Sequence, residues 1–212
     1  MISLDIFADP ICPWCLIGKA RLDRALEARP NHRFQIAWHP FQLNPDMPAQ
    51  GMDRRAYLEA KFGSRNAVVE MHKQILEAAE AAGLTIDLAT VTRTPNTLDA
   101  HRMIHWAGLE GRQTAMVSAL MRAYWREGRD IGDPAVLAEI GESIGFAAPL
   151  SARLLAAEVD RDTVTARDRH ARERGLNAVP SFIIANQHVV QGAQPTEFWL
   201  SVIDELAGIA DA

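Results

Sequence analysis

With 212 residues and 48% hydrophobic content, the chain can build either one domain carrying a large insertion or two small domains, around a sizeable core. A formal net charge of -5 and an isoelectric point near 5.8 supply no basic field for holding phosphates, which argues against nucleic acid as a partner. The apolar runs are far shorter than a membrane span, and the N-terminus lacks the basic and apolar regions of a secretory leader, so a cytoplasmic protein with no membrane partner is expected.

The first predicted element is a strand over Ile2 to Ala8, where Ile2, Leu4, Ile6 and Ala8 alternate with Ser3, Asp5 and Phe7. A helix follows from about Pro13 towards Ala28. At the handover stands Cys12-Pro13-Trp14-Cys15, which holds both cysteines of the chain. Pro13 suits the first helical position because its missing N-H would have no partner there. Cys12 then lies at the helix N-terminus, where unpaired backbone N-H groups and the positive end of the helix dipole favour a thiolate. The spacing brings Cys15 within disulfide reach of Cys12, with Cys12 the more exposed sulfur. In reducing surroundings such a pair reads as catalytic. The competing readings are an inert core pair and half of a zinc site, and a four-cysteine zinc site needs a second pair that is missing here.

A second strand is predicted over Arg33 to Leu43, from the alternation of Phe34, Ile36 and Trp38 with Gln35 and Ala37 before Pro40 interrupts it. Successive helices follow over Asp53 to Phe62, Ser64 to Ala82, Asn96 to Leu109, Arg112 to Glu127 and Pro134 to Ile144, with Gly83, Gly111, Gly128 and Gly145 as stops. One further helix is expected over Ser151 to Arg174, with the mixed-charge run from Asp160 to Arg174 as a solvated face. Strands return at Ser181 to Ala185 and His188 to Gln191, joined by a turn at Asn186-Gln187, and a last helix covers about Pro195 to Ala207. The order fits an α/β fold: a thioredoxin-like sheet with a large all-helical insertion. Residues 1-45 and 150-212 would form the thioredoxin-like domain and residues 46-149 the inserted helical domain.

Val179-Pro180 stands directly before the apolar stretch Phe182 to Ile184, where an ordinary edge-strand proline is also tolerated. Taken with the helix-opening Cys12-Pro13-Trp14-Cys15 and the helical insertion, Val179-Pro180-Ser181-Phe182 resembles the DsbA family of thioredoxin-fold disulfide oxidoreductases. Asp9-Pro10-Ile11-Cys12, Pro40-Phe41-Gln42-Leu43-Asn44-Pro45, Asn96-Thr97, Ala100-His101-Arg102 and Gly192-Ala193-Gln194 resemble its FrnE-like subgroup.

The resemblance implies that Cys12 is the attacking thiolate and Cys15 the resolving thiol, with Pro180 held in cis beside them. The main chain of Val179 would then be free to pair with an extended substrate or with glutathione, as an added strand. Pro13 and Trp14 lie between the sulfurs and become substrate contacts. An exposed Trp14 is expected. Asn44 and Gln194 fall in segments returning towards Cys12 and are candidate amides for a glutathione-like ligand, although turn residues explain them equally well. No tightly bound cofactor is implied, and glutathione is the candidate thiol partner.

His101 and His105 share a helix face but lack the glutamate of a metallopeptidase motif, so packing or capping outweighs a metal role and no metal is expected. Trp106, Tyr124 and Trp125 suit the core better than a substrate cleft. The leading function is thiol-disulfide exchange with a protein or small-molecule disulfide through a mixed disulfide. The alternatives are a kappa-type glutathione transferase or 2-hydroxychromene-2-carboxylate isomerase relative, which would carry serine at Cys12, and a polypeptide-binding chaperone whose dithiol senses redox state.

Overall fold

The computed structural model describes residues 1-210. β1 (Ile2–Ala8) leads into α1 (Pro13–Ala28), and β2 (Phe34–Pro40) returns alongside β1. A mainly helical stretch follows: β3 (Met52–Asp53), α2 (Arg54–Phe62), α3 (Arg65–Ala81), β4 (Arg93–Thr94), α4 (Leu98–Leu109), α5 (Gln113–Trp125), α6 (Pro134–Ser143), α7 (Ala148–Ala156) and α8 (Arg161–Glu173). β5 (Ser181–Ile184), β6 (His188–Gln191) and α9 (Thr196–Ala210) complete the order. The main sheet runs β2-β1-β5-β6, with β1 parallel to β2 and antiparallel to β5. It is the thioredoxin-like sheet expected from the pattern. β3 and β4 pair only with each other and are too short to show a period in sequence.

Alternation along β1 decides which residues enter the core. The register from Ile2↔Phe34 to Ala8↔Pro40 sets Leu4 and Ile6 on one face with Ile36 and Trp38, and the pairs Leu4↔Ile184 and Ile6↔Phe182 extend that face across β5. Ile17 and Leu22 of α1 and Trp199 of α9 join the same core cluster, with Phe182 and Trp199 edge to face at 4.7 Å. Each such side chain contributes about 1.5 to 3 kcal/mol by leaving water. The β2 edge is closed by a side chain instead of a strand. Gln113 at the start of α5 accepts from the Trp38 N-H at 2.8 Å and donates to its carbonyl at 2.9 Å.

Three expectations need correction. The helix expected over Ser151 to Arg174 is two helices, α7 and α8, separated at Asp160, which has a φ of 57°. α7 also spans the boundary drawn at residues 149 and 150. The cause of the break lies on α4. Fully buried Arg102 donates to the carbonyls of Leu154 at 2.8 Å, Leu155 at 3.3 Å, Ala157 at 2.5 Å and Val159 at 2.8 Å, and to the Asp99 carboxylate at 2.9 Å. The carbonyls left open at the end of α7 are thus satisfied by a side chain, and the chain can turn. The second correction is β2, which stops at Pro40 because the N-H groups of Gln42 and Leu43 go to buried carboxylates. The third is the β5-β6 turn, where Ala185 and Asn186 take positive φ values of 53° and 58° and Gln187 N-H bonds the Ile184 carbonyl at 3.0 Å. It is centred one residue earlier than expected.

Arg102→Ala should therefore cost about 3 to 5 kcal/mol, since it leaves several buried carbonyls without their donor, although Asp99 keeps Arg161 at 3.2 Å. Urea unfolding of the variant against the parent measures this.

Candidate active site

α1 begins at Cys12, its N-cap, with backbone angles of -84° and 118°, and Pro13 in the first turn. The Cys12 carbonyl accepts from the N-H groups of Cys15 at 3.1 Å and Leu16 at 3.2 Å, and the Cys12 N-H bonds the Asp9 carbonyl at 2.9 Å. No side chain caps the helix, so its open N-H groups lie beside the Cys12 sulfur. Both cysteines are free thiols. Both are buried, with Cys12 the less covered of the two as expected: it retains 3% of its surface and Cys15 1%.

Across from Cys12 stands the loop before β5. The Val179-Pro180 peptide is cis, and the Cys12 thiol donates to the Val179 carbonyl at 3.6 Å. The strand ladder starts only at Ser181, paired with Phe7 and Gln191, so Val179 lies outside it. Pro180 is buried against α1 at a point that needs glycine. A Cβ on Gly18 would lie 3.0 Å from the Pro180 ring and 3.4 Å from the Ala193 Cα. Arg21 of α1 donates to the Ala193 carbonyl at 2.6 Å, which pulls the Gly192-Ala193-Gln194 turn onto the same helix.

Asp9 is the group that residue patterns did not single out, although it stood in the quoted motif. Its carboxylate is fully buried and accepts from Leu43 N-H at 2.7 Å, Ile11 N-H at 3.3 Å and the Thr97 hydroxyl at 3.2 Å. Burial raises its pKa from 3.8 to about 7 against the pull of those donors, and the nearby Asp168 carboxylate adds to the rise. Burial also pushes the Cys15 thiol well above its ordinary range. The Cys12 sulfur, hydrogen-bonded to it, adds to this, while a main-chain bond from Asp9 works the other way. His101 packs beneath, with Nε2 3.9 Å from Asp9 Oδ1 and no hydrogen-bond partner, and burial lowers its pKa to about 3. It is a neutral ring inside the fold.

Asp168 corrects the reading of the charged run as a wholly solvated face. It is 5% exposed and accepts from Gln42 N-H at 2.8 Å, while Arg172 bonds both Asp168 and the Gln42 carbonyl and stacks on Phe41 at 4.0 Å. The Pro40 to Pro45 segment is thus held from α8 and from Asp9 together. The remaining predicted residues divide. Pro13 and Trp14 lie beside the sulfurs, but Trp14 is half-buried against the core where an exposed ring was expected. The Asn44 carbonyl oxygen is taken by the Tyr57 hydroxyl at 2.8 Å, and the Gln194 amide bonds the Gln191 carbonyl of its own turn at 2.7 Å. Neither amide contacts the dithiol. Trp106, Tyr124 and Trp125 are core residues, and the Trp125 indole N-H reaches the Pro10 carbonyl at 3.0 Å. His105 is spent on Arg167, 3.2 Å away.

A family model described as DSBA-like thioredoxin domain matches residues 3-204. The chain belongs to the DSBA-like thioredoxin domain family. Among similar proteins of that kind, a probable DsbA oxidoreductase of Streptomyces coelicolor superposes with a TM-score of 0.87 at 28% identity, covering 98% of this chain and 91% of that one. The cytosolic disulfide reductase DsbM of Pseudomonas aeruginosa, solved with GSH, has a TM-score of 0.68 at 20% identity over 97% of this chain and 98% of its own, a likeness of fold. The uncharacterized protein YwbO of Bacillus subtilis is 24% identical over 205 residues, 96% of this chain and 97% of that protein. Membership of the DSBA-like family and the likeness to the Streptomyces coelicolor protein support an oxidoreductase role. Among the described residues no helix is long and apolar enough to cross a membrane.

The raised Asp9 value has a definite sign. Folding favours the protonated carboxyl, so this contribution to stability is full below the unfolded value near 3.8 and is lost as pH rises through about 7. The protein should lose a few kcal/mol across that window. Asp9→Asn cannot ionise and should flatten the slope, measured as urea midpoints against pH.

Proposed function

We propose that the protein is a thiol-disulfide oxidoreductase of protein or small-molecule disulfides, working through Cys12 and Cys15 by way of a mixed disulfide. The observation that carries this reading is the placement of the pair. Cys12 opens α1 and faces the Val179 carbonyl, while Cys15 lies behind it, buried beside Asp9.

In the reducing direction the Cys12 thiolate attacks one sulfur of the substrate disulfide. The substrate S-S bond breaks, a Cys12-substrate disulfide forms, and the first substrate thiolate leaves. Cys15 then loses its proton and attacks the Cys12 sulfur, which releases the second substrate thiolate and leaves a Cys12-Cys15 disulfide. Two electrons have passed from the enzyme dithiol to the substrate, and the oxidising direction is the reverse. A thiol held above its ordinary range needs a proton acceptor, and a carboxyl poised near neutrality beside it is suited to that task. Trp14, Pro13 and Val179 would contact the substrate, with the Val179 main chain adding the substrate as a strand. Glutathione is the proposed small thiol partner, and the cytoplasm the proposed compartment. The FrnE-like assignment rests on the motif segments around Asp9, Gln42, Asn96 and Ala193. A glutathione transferase or isomerase reading is disfavoured by the sulfur at position 12, where those relatives would carry serine.

Cys15→Ser should accumulate mixed disulfides on Cys12 that mass spectrometry can name, and Cys12→Ser should abolish glutathione-coupled insulin reduction. Faster alkylation of Cys15 than of Cys12 in the reduced protein would reverse the roles. In Asp9→Asn, the release of substrate from the mixed disulfide should slow at least about tenfold and lose its rise with pH near 7.

A further inference from the structure

α2 and α3 pack against the segment 88-92 so as to leave an open groove of about 410 Å³, walled by Leu58, Val68, Val69 and Leu88 and reached by Arg54 and His72. Arg54 is 7% exposed. One of its terminal nitrogens donates to the Tyr124 hydroxyl at 3.0 Å, and its guanidinium lies over the Trp125 ring at 5.2 Å. Its Nε has no hydrogen-bond partner, and neither has the buried Nε2 of His72 on the neighbouring helix.

The acids of the groove are engaged elsewhere. Asp53 caps α2 by accepting from Ala56 N-H at 2.9 Å, and Glu59 is shared between Arg55 at 3.4 Å and Arg65 at 3.3 Å. Arg54 is therefore a buried cation without a carboxylate partner among the described residues, beside an apolar cleft. A guanidinium out of water strongly favours an anion, and its planar fork matches a carboxylate. The wall is aliphatic and holds no Phe, Tyr or Trp ring, which suits a flexible hydrocarbon chain. The volume falls in the range of small-molecule sites.

We propose that this groove binds an aliphatic carboxylate, with Arg54 and His72 taking the carboxylate and the Leu58, Val68, Val69 and Leu88 side chains the chain. The site is independent of the dithiol, so it stands or falls apart from the exchange chemistry. Each added methylene should tighten binding about fourfold until the cleft is filled.

Calorimetric titration of the whole protein with octanoate, decanoate and decanol tests this. Saturable one-to-one binding of decanoate is expected, tighter than octanoate and at least tenfold tighter than decanol. Arg54→Met should lose that preference for the carboxylate. Since Arg54 also holds Tyr124, a second variant is Val69→Asp, at a position 65% exposed. It places a negative charge at the groove and should weaken decanoate at least tenfold with an unchanged melting temperature. Equal binding of decanol and decanoate, binding undiminished in Val69→Asp, or no saturable binding would each overturn the proposal.

Discussion

A carboxylate buried at the end of β1 ties together the parts from which the site is made. Asp9 accepts from Leu43 N-H in the loop after β2, from Thr97 at the start of α4 and from Ile11 in the turn before the cysteines, and its own carbonyl receives the Cys12 N-H. Leu43 and Thr97 lie far apart in sequence, and neither could be fixed next to Cys12 by local structure. Removing the charge from water is costly, and the donors repay that only in part, which is why the carboxyl is left titrating near neutrality. The same compromise that closes the fold leaves a carboxyl that titrates near neutrality beside a buried thiol.

The two sulfurs differ because the helix begins between them. Cys12 still has extended backbone angles and turns its thiol to the Val179 carbonyl, whereas Cys15 is inside the first turn and points into the core. The spacing therefore yields one sulfur at the groove and one behind it, the order that a two-step exchange requires. Gly18, one turn further on, lets the Pro180 loop approach closely, and Arg21 holds the neighbouring turn, so a single helix carries the cysteines and positions what faces them.

Arginines organise the rest of the frame. Arg102 gathers the carbonyls where α7 ends, Arg172 bridges Asp168 to the loop after β2, and Arg54 stacks on Trp125, whose indole N-H reaches Pro10 near the cysteines. Arg102 and Arg172 meet both carbonyls and a carboxylate, while Arg54 meets only a hydroxyl and a ring. That difference in satisfaction separates the two clamps from the cation that borders an apolar groove.

The sequence by itself determined the elements whose signals are local. Alternation along β1 and β2, Pro13 after the cysteine, Asp133 ahead of Pro134 and the glycine stops located the strands and most helices, since period and capping act within a few residues. The dithiol and the proline before β5 were legible for the same reason, as short motifs at element ends. Tertiary structure alone decided the burial of both sulfurs and of Trp14, the split between α7 and α8, and the roles of Asp9, Asp168 and Arg102. Each depends on partners many tens of residues away, and a charged side chain in a helix reads as solvated until the loop that it bonds is seen against it. Asn44 and Gln194 show the converse: Tyr57 of α2 occupies the Asn44 carbonyl oxygen and the Gln191 carbonyl takes the Gln194 amide, so short-range partners and not the dithiol meet both side chains.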